Sequence, residues 1–91
     1  MKKFFKVVAQ QEPLTVNKQD GTTLNKCIIV LQEVGGRYEN SYVCTLLGNA
    51  AICRFYKDDL VYAALRFQHS EYQGKFYNEI TVQDIISFSN H

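Results

Sequence analysis

The stretch from Lys57 to Ser87, KDDLVYAALRFQHSEYQGKFYNEITVQDIIS, constrains this chain more than any other part of it. It opens on a polar turn (Lys57, Asp58, Asp59) and continues through a dense apolar segment, Leu60 to Phe67. A polar loop, His69 to Lys75 with Gly74 inside it, leads to a second segment, Phe76 to Ile86. Val, Tyr, Phe, Ile and Thr suit a pleated, half-buried surface, so two such runs joined by a Gly-bearing loop read as a hairpin. Strand parity separates two faces. Val61, Ala63, Leu65 and Phe67, with Phe76, Ile80 and Val82, form a face suited to a core. Tyr62, Ala64, Arg66 and Gln68, with Tyr77, Glu79, Thr81 and Gln83, form the other. That second face offers aromatics, a cation and amides, the groups that grip a flexible polar chain.

The residues upstream supply the partners for this hairpin. Residues 3–16 read as a first strand interrupted by Pro13, which cannot donate to a sheet ladder and so marks an edge, a bulge or a bend. A long first strand that bends midway and serves two sheets is one way for a small barrel to close. Residues 17–24 are a turn cluster in which Asp20-Gly21 supplies a positive φ. A second strand covers 25–33, with Cys27, Ile29 and Leu31 on one face. Gly35-Gly36 makes the next turn, and a third strand runs from Arg37 to Leu47. After Gly48, Asn49 caps a short helix that runs through Tyr56.

Strand, strand, strand, short helix, strand, strand is the order of an all-β, five-stranded OB-fold, a Greek-key barrel with one short helix between its third and fourth strands. An SH3-like barrel normally lacks that helix, and a ferredoxin-like domain needs two substantial ones. The 91 residues make one such domain, 1–91, with a single modest core.

Composition excludes several classes. At 46% hydrophobic residues the chain is globular in character, and its longest apolar runs, Cys27–Leu31 and Leu60–Leu65, are far short of a membrane span. The basic opening Met1-Lys2-Lys3 is not followed by the apolar region of a signal peptide, so the expected compartment is the cytoplasm, with no membrane partner. Three cysteines without CxxC spacing (Cys27, Cys44, Cys53) read as buried small hydrophobes in a reducing compartment, and no metal or other cofactor is expected. No nucleophile, base and orienting partner stand together, so the chain does not read as an enzyme. Net charge is +1, distributed unevenly: residues 1–26 carry five lysines against two acids, whereas 76–91 carry Glu79 and Asp84 without a cation.

The run from Val43 to Ile86 resembles the second half of the bacterial single-stranded-DNA-binding protein core. The shared features begin with a third strand ending Leu46-Leu47-Gly48 and a helix segment carrying Phe55-Tyr56. They continue with the turn Lys57-Asp58-Asp59, a fourth strand opening Leu60-Val61-Tyr62, and its polar close on an aromatic, Gln68 to Tyr72. Tyr77 to Val82 then stands where that family has a Tyr-Thr-Thr-Glu-Val-Val-like strand. The family commonly stacks bases on tryptophan; this chain has none, so Tyr72 takes that position. Its acidic, apolar tail tip has no counterpart before His91, so recruitment of partners by a tail is not expected.

The resemblance implies binding of single-stranded DNA, with RNA left open and little preference for sequence. Bases would stack on exposed aromatics while cations follow the phosphates. The residues expected to do this are Lys18, Lys26, Arg37, Tyr38, Arg66, Gln68, Tyr72, Lys75 and Tyr77, with Tyr72 foremost because it sits beside a Gly-bearing loop tip. Stacking contributes roughly 1–3 kcal/mol per base, so near-neutral charge is compatible with binding and implies a shallow salt dependence. Ile28, Val30, Val43 and Leu47 on the outer face point to a homodimer or homotetramer. The alternative is an OB-like protein-interaction module in which those residues, with Tyr42 and Tyr62, bind other chains and no nucleic acid.

Overall fold

In the computed structural model, which describes residues 1–37 and 39–88, six strands and one helical turn follow one another. They are β1 (Lys2–Gln10), β2 (Leu14–Asn17), β3 (Thr23–Glu33), β4 (Ser41–Leu47), α1 (Asn49–Ile52), β5 (Leu60–Tyr72) and β6 (Lys75–Ser87). The sheet order is β1-β5-β6-β4-β3-β2, and an additional pairing of β1 with β3 closes five of the strands into a ring. Within the ring the β4–β6 contact is parallel, at Thr45 and Thr81, and the others are antiparallel. This is the expected OB-fold barrel, with its helix between the third and fourth long strands.

β1 closes the ring by serving two neighbours. Its first half pairs with β5, from Lys2 opposite Ala64 to Lys6 opposite Leu60. Its second half pairs with β3, from Phe5 opposite Glu33 to Gln10 opposite Ile29, across a bulge between Val7 and Ala9. The bulge lets one strand turn from one sheet half to the other. The strand expected over 3–16, with Pro13 marking an edge, a bulge or a bend, is divided there: after Gln11, whose N–H still donates to the Ile28 carbonyl at 2.9 Å, the chain leaves the ladder through Glu12 and Pro13, and β2 resumes on the edge of β3. Pro13 has no N–H to offer, which is the reason for the gap.

Alternating residues fill the barrel. Phe5, Val7, Cys27, Ile29, Leu31, Cys44, Leu46, Val61, Ala63, Leu65 and Val82 are buried, with Ala51 of α1 covering one end. Burial without a counter-charge pushes the Cys44 thiol up to about 11. Cys53, expected inside, is exposed. It follows the helix, which ends at Ile52 and does not reach Tyr56. Gln10 from β1 explains the early stop: its Nε2 donates to the Cys53 carbonyl at 2.8 Å and its Oε1 accepts from the Phe55 N–H at 2.8 Å. These bonds hold the chain extended where a longer helix would need the same backbone groups. Gly48, not Asn49, occupies the cap position, at φ 68 and ψ −134, a conformation closed to residues with a Cβ.

Two connections differ from expectation. The third strand begins at Ser41, so Val34 to Arg37, Glu39 and Asn40 lie outside the strands, where a tight Gly35-Gly36 turn and a strand from Arg37 were anticipated. His69 to Lys75, read above as a loop, is mostly strand: β5 and β6 stay paired out to Tyr72 opposite Lys75, and only Gln73 and Gly74 turn the chain. Both turn residues have positive φ (51 and 77), as a type I′ hairpin turn requires. The outer parts of these strands project from the barrel as an arm.

Candidate nucleic-acid interface

Register decides which of the anticipated residues share a surface. Arg66 lies opposite Thr81, Gln68 opposite Glu79, Ser70 opposite Tyr77 and Tyr72 opposite Lys75. Cross-strand partners point the same way, so Arg66, Gln68, Tyr72, Lys75 and Tyr77 occupy one face of the arm. Tyr72 and Tyr77 are diagonal neighbours on that face, about 7–8 Å apart at the backbone. Tyr72 is 66% exposed and Tyr77 48%. Neither ring is sunk in the core.

The same face passes from the arm onto the barrel. Thr81 pairs with Thr45 of β4, and Thr45 pairs with Ile28 of β3. Beside them run the outward pairs Lys26 with Leu47 and Val30 with Val43. Thr45 is only 7% exposed although it faces outward, which marks a crease where β4 and β6 meet. Of the outer apolar residues, Val43 and Leu47 are exposed, while Ile28 and Val30 are half-buried.

The remaining cations frame this surface at its two ends. Lys18 starts the turn between β2 and β3, its N–H donating to the Thr22 carbonyl at 2.8 Å. The Asp20 carboxylate holds that turn by accepting from the Thr22 hydroxyl (2.6 Å) and N–H (3.0 Å), bonds that lower its pKa. Arg37 lies just past the other end of β3. An 11-residue strand separates the two, a span of roughly 35 Å at about 3.3–3.4 Å per residue. The structure thus gathers five of the nine residues on the arm, sets Lys26 on the adjoining barrel wall, and places Lys18 and Arg37 at opposite edges. Tyr38 lies outside the described residues. Among the described residues, Lys18, Lys26, Arg66 and Lys75 form no ion pair.

The chain leaving β3 is fastened at its root by Glu33. Its carboxylate receives the Lys3 ammonium at 2.6 Å, the Tyr42 hydroxyl at 2.7 Å and the Asn40 amide at 3.2 Å. The Lys3 bond, followed by the Tyr42 bond, holds its pKa down to about 2. In return the carboxylate raises the pKa values of Lys3 and Tyr42. Tyr42 is consequently a framework residue that joins the loop to the barrel mouth.

Sequence parity missed the other face of the arm. Phe67 and Phe76 were read as core, but they are 48% and 72% exposed. Phe67 packs edge-on against Tyr42 at 6.0 Å, Tyr42 packs edge-on against buried Phe5 at 6.2 Å, and Phe76 approaches His69 at 6.4 Å. The core face therefore runs out of the barrel as an exposed aromatic track. A signal existed in strand length. β5 and β6 are 13 residues each, about 40 Å, and their inward positions turn polar at His69 and Asn78 where they pass the barrel rim.

No protein-family model matches the chain, and no curated protein matches it in sequence. Among solved structures it is similar to the solution NMR structure of the second OB-fold domain of replication protein A from Methanococcus maripaludis. The two superpose with a TM-score of 0.75 at 22% identity, over 99% of this chain and 84% of the other. At that identity the likeness establishes the OB-fold and does not extend to the bacterial family suggested by the sequence.

Proposed function

We propose that this domain binds single-stranded DNA without strong sequence preference, using the arm and the adjoining wall of β3 and β4. The observation that carries the reading is the arm itself. Tyr72 and Tyr77 share one face of the two-stranded arm with Arg66 and Lys75, Phe67 and Phe76 stand on the other, all four rings are 48% exposed or more, and neither cation has an ion-pair partner among the described residues. Leaving four large rings in water has no folding benefit, whereas each offers a π-face to a base. The crease at Thr45 and the cations Lys26, Lys18 and Arg37 give a backbone a path across the barrel wall. Support also comes from the structural neighbour, whose name ties it to replication, a process that exposes single strands. The role is one of binding, with no catalytic step.

The test is fluorescence anisotropy of a labelled oligo-dT at two salt concentrations. Affinity is expected to fall with salt along a shallow log–log line, about 0.7 per phosphate contacted. Tyr72→Ala is expected to weaken binding roughly 5- to 150-fold, the equivalent of about 1–3 kcal/mol of lost stacking. Comparing Tyr72→Ala and Tyr77→Ala with Phe67→Ala and Phe76→Ala identifies which face of the arm the strand follows. Absence of binding at micromolar protein removes the proposal and leaves the protein-interaction reading.

A further inference from the structure

A second aromatic surface lies on the barrel halves of β1, β5 and β6, and the nucleic-acid reading does not use it. Register sets three rows across these strands. The middle row is Phe4, Tyr62 and Ile86; the row toward the arm is Lys2, Ala64 and Asp84; the row away from it begins Lys6, Leu60. Phe88 completes the last row, its N–H donating to the Leu60 carbonyl at 3.0 Å. The Phe4 ring stacks edge-on against Tyr62 at 4.9 Å and lies 5.7 Å from Phe88. Phe4, Leu60, Ile86 and Phe88 are each about half exposed, between 41% and 57%. Together they present on the order of 400 Å² of apolar surface, as much as the largest patch on a typical monomer. Lys2, Tyr62, Ala64, Asp84 and Ile86 line a shallow depression of about 110 Å³, and an adjoining hollow of about 670 Å³ lies between Phe4, Leu60 and the Val34–Gly36 segment.

The charges on this surface are arranged so that it complements itself. Lys2 and Asp84 flank the small Ala64 on either side, two strand spacings (roughly 10 Å) apart at the backbone, and the structure leaves them unjoined. Neither forms an ion pair among the described residues; the Asp84 carboxylate accepts only from the neighbouring Ile85 N–H. We infer that two copies of this chain pack these faces together about a two-fold axis running along β5. That axis carries the β1 side of one copy over the β6 side of the other. Lys2 of each copy then meets Asp84 of the other, Phe4 meets Ile86, Lys6 lies over Phe88, and Tyr62 sits beside its own equivalent. Such an isologous contact satisfies both charges twice and covers the stripe, with the charged rim enlarging it toward the area of a standard interface. The arm and the β3–β4 wall stay outside the contact, so the inference stands or falls independently of single-strand binding.

The experiment is analytical ultracentrifugation of the full chain over a concentration series, with charge reversals. The native chain is expected to dimerise. Lys2→Glu and Asp84→Lys, each alone, place like charges opposite one another and are expected to raise the dimer dissociation constant about tenfold or more. The double variant Lys2→Glu/Asp84→Lys restores opposite charges at both contacts and is expected to return within about threefold of the native value. Ile86→Asp, at an exposed position where folding is not at stake, is expected to leave a monomer with unchanged far-ultraviolet circular dichroism. A native chain that stays monomeric at about 100 µM overturns the inference, since that face then serves a different partner or none. A dimer indifferent to all four variants overturns it equally, by locating the contact elsewhere.

Discussion

β5 and β6 are each one continuous strand with two different lives. In the barrel half, Val61, Ala63, Leu65 and Val82 alternate into an interior enclosed by the five-stranded ring. In the arm half the same two strands keep their pairing, from Phe67 opposite Ile80 to Tyr72 opposite Lys75, but beyond the contacts of Phe67 with Tyr42 and of Ile80 with the core edge their side chains are exposed. Apolar side chains in the first half stabilise the fold by leaving water. Those in the second half remain in water and are available to a ligand. Strand propensity and hydrogen bonding are common to both halves; closure of the ring is what separates a core aromatic such as Phe5 from a surface aromatic such as Phe76.

That contrast is sharpest for truncations of the same residue type. Phe5→Ala empties a fully buried site, and urea denaturation is expected to show a loss of about 3–5 kcal/mol. Phe76→Ala, in the arm, is expected to change stability by no more than about 0.5 kcal/mol. Equal losses at the two positions would mean that the arm is packed as part of the core.

A smaller effect probes the tip of the arm. Nothing lies within 4 Å of a Cβ built on Gly74, so Gly74→Ala meets no steric obstacle, only the strain of φ +77. It is expected to cost about 1–2 kcal/mol. With its side chains largely exposed, the arm is expected to open separately from the ring, so hydrogen exchange is expected to quicken at Phe67–Tyr72 and Lys75–Ile80 while Val61–Leu65 keeps its protection. Uniform loss of protection would make the two halves one cooperative unit.

The smallest effect is electrostatic and sits where the halves meet. The folded-state pKa of Glu33, about 2, is depressed below its ordinary value of 4.5. Its bonds to Lys3, Tyr42 and Asn40 therefore contribute stability above pH 4.5, which is lost as pH falls from 4.5 toward 2. Glu33→Gln is expected to flatten the acid limb of the stability profile in that window, read by thermal melts. An unchanged profile would show that the loop root is held by other contacts.

Much of the barrel was legible from parity. Cys27, Ile29 and Leu31, and Val61, Ala63 and Leu65, were read as inward-facing and are buried, because a period of two has only one solution once one face must be dry. The shared face of Arg66, Gln68, Tyr72, Lys75 and Tyr77 follows from the same counting, with the two-residue turn fixing the register. The exposure of Phe67 and Phe76 was not legible. Parity says which residues share a face, and says nothing about whether another strand covers it.

What the amino-acid order determined by itself is local: two long β-formers, a Pro13 that removes one strand from the ladder, a Gly48 that turns β4 into α1, and the alternation that sorts side chains into two sets. What only the tertiary structure decided is where the barrel stops. Closure depends on the bulge in β1, on Gln10 reaching the Cys53–Phe55 segment, and on a parallel contact between residues 36 positions apart, Thr45 and Thr81. Those contacts join distant parts of the chain, so no window of neighbouring residues contains them. The rim they define turns one stretch of β5 and β6 into core and the next into surface.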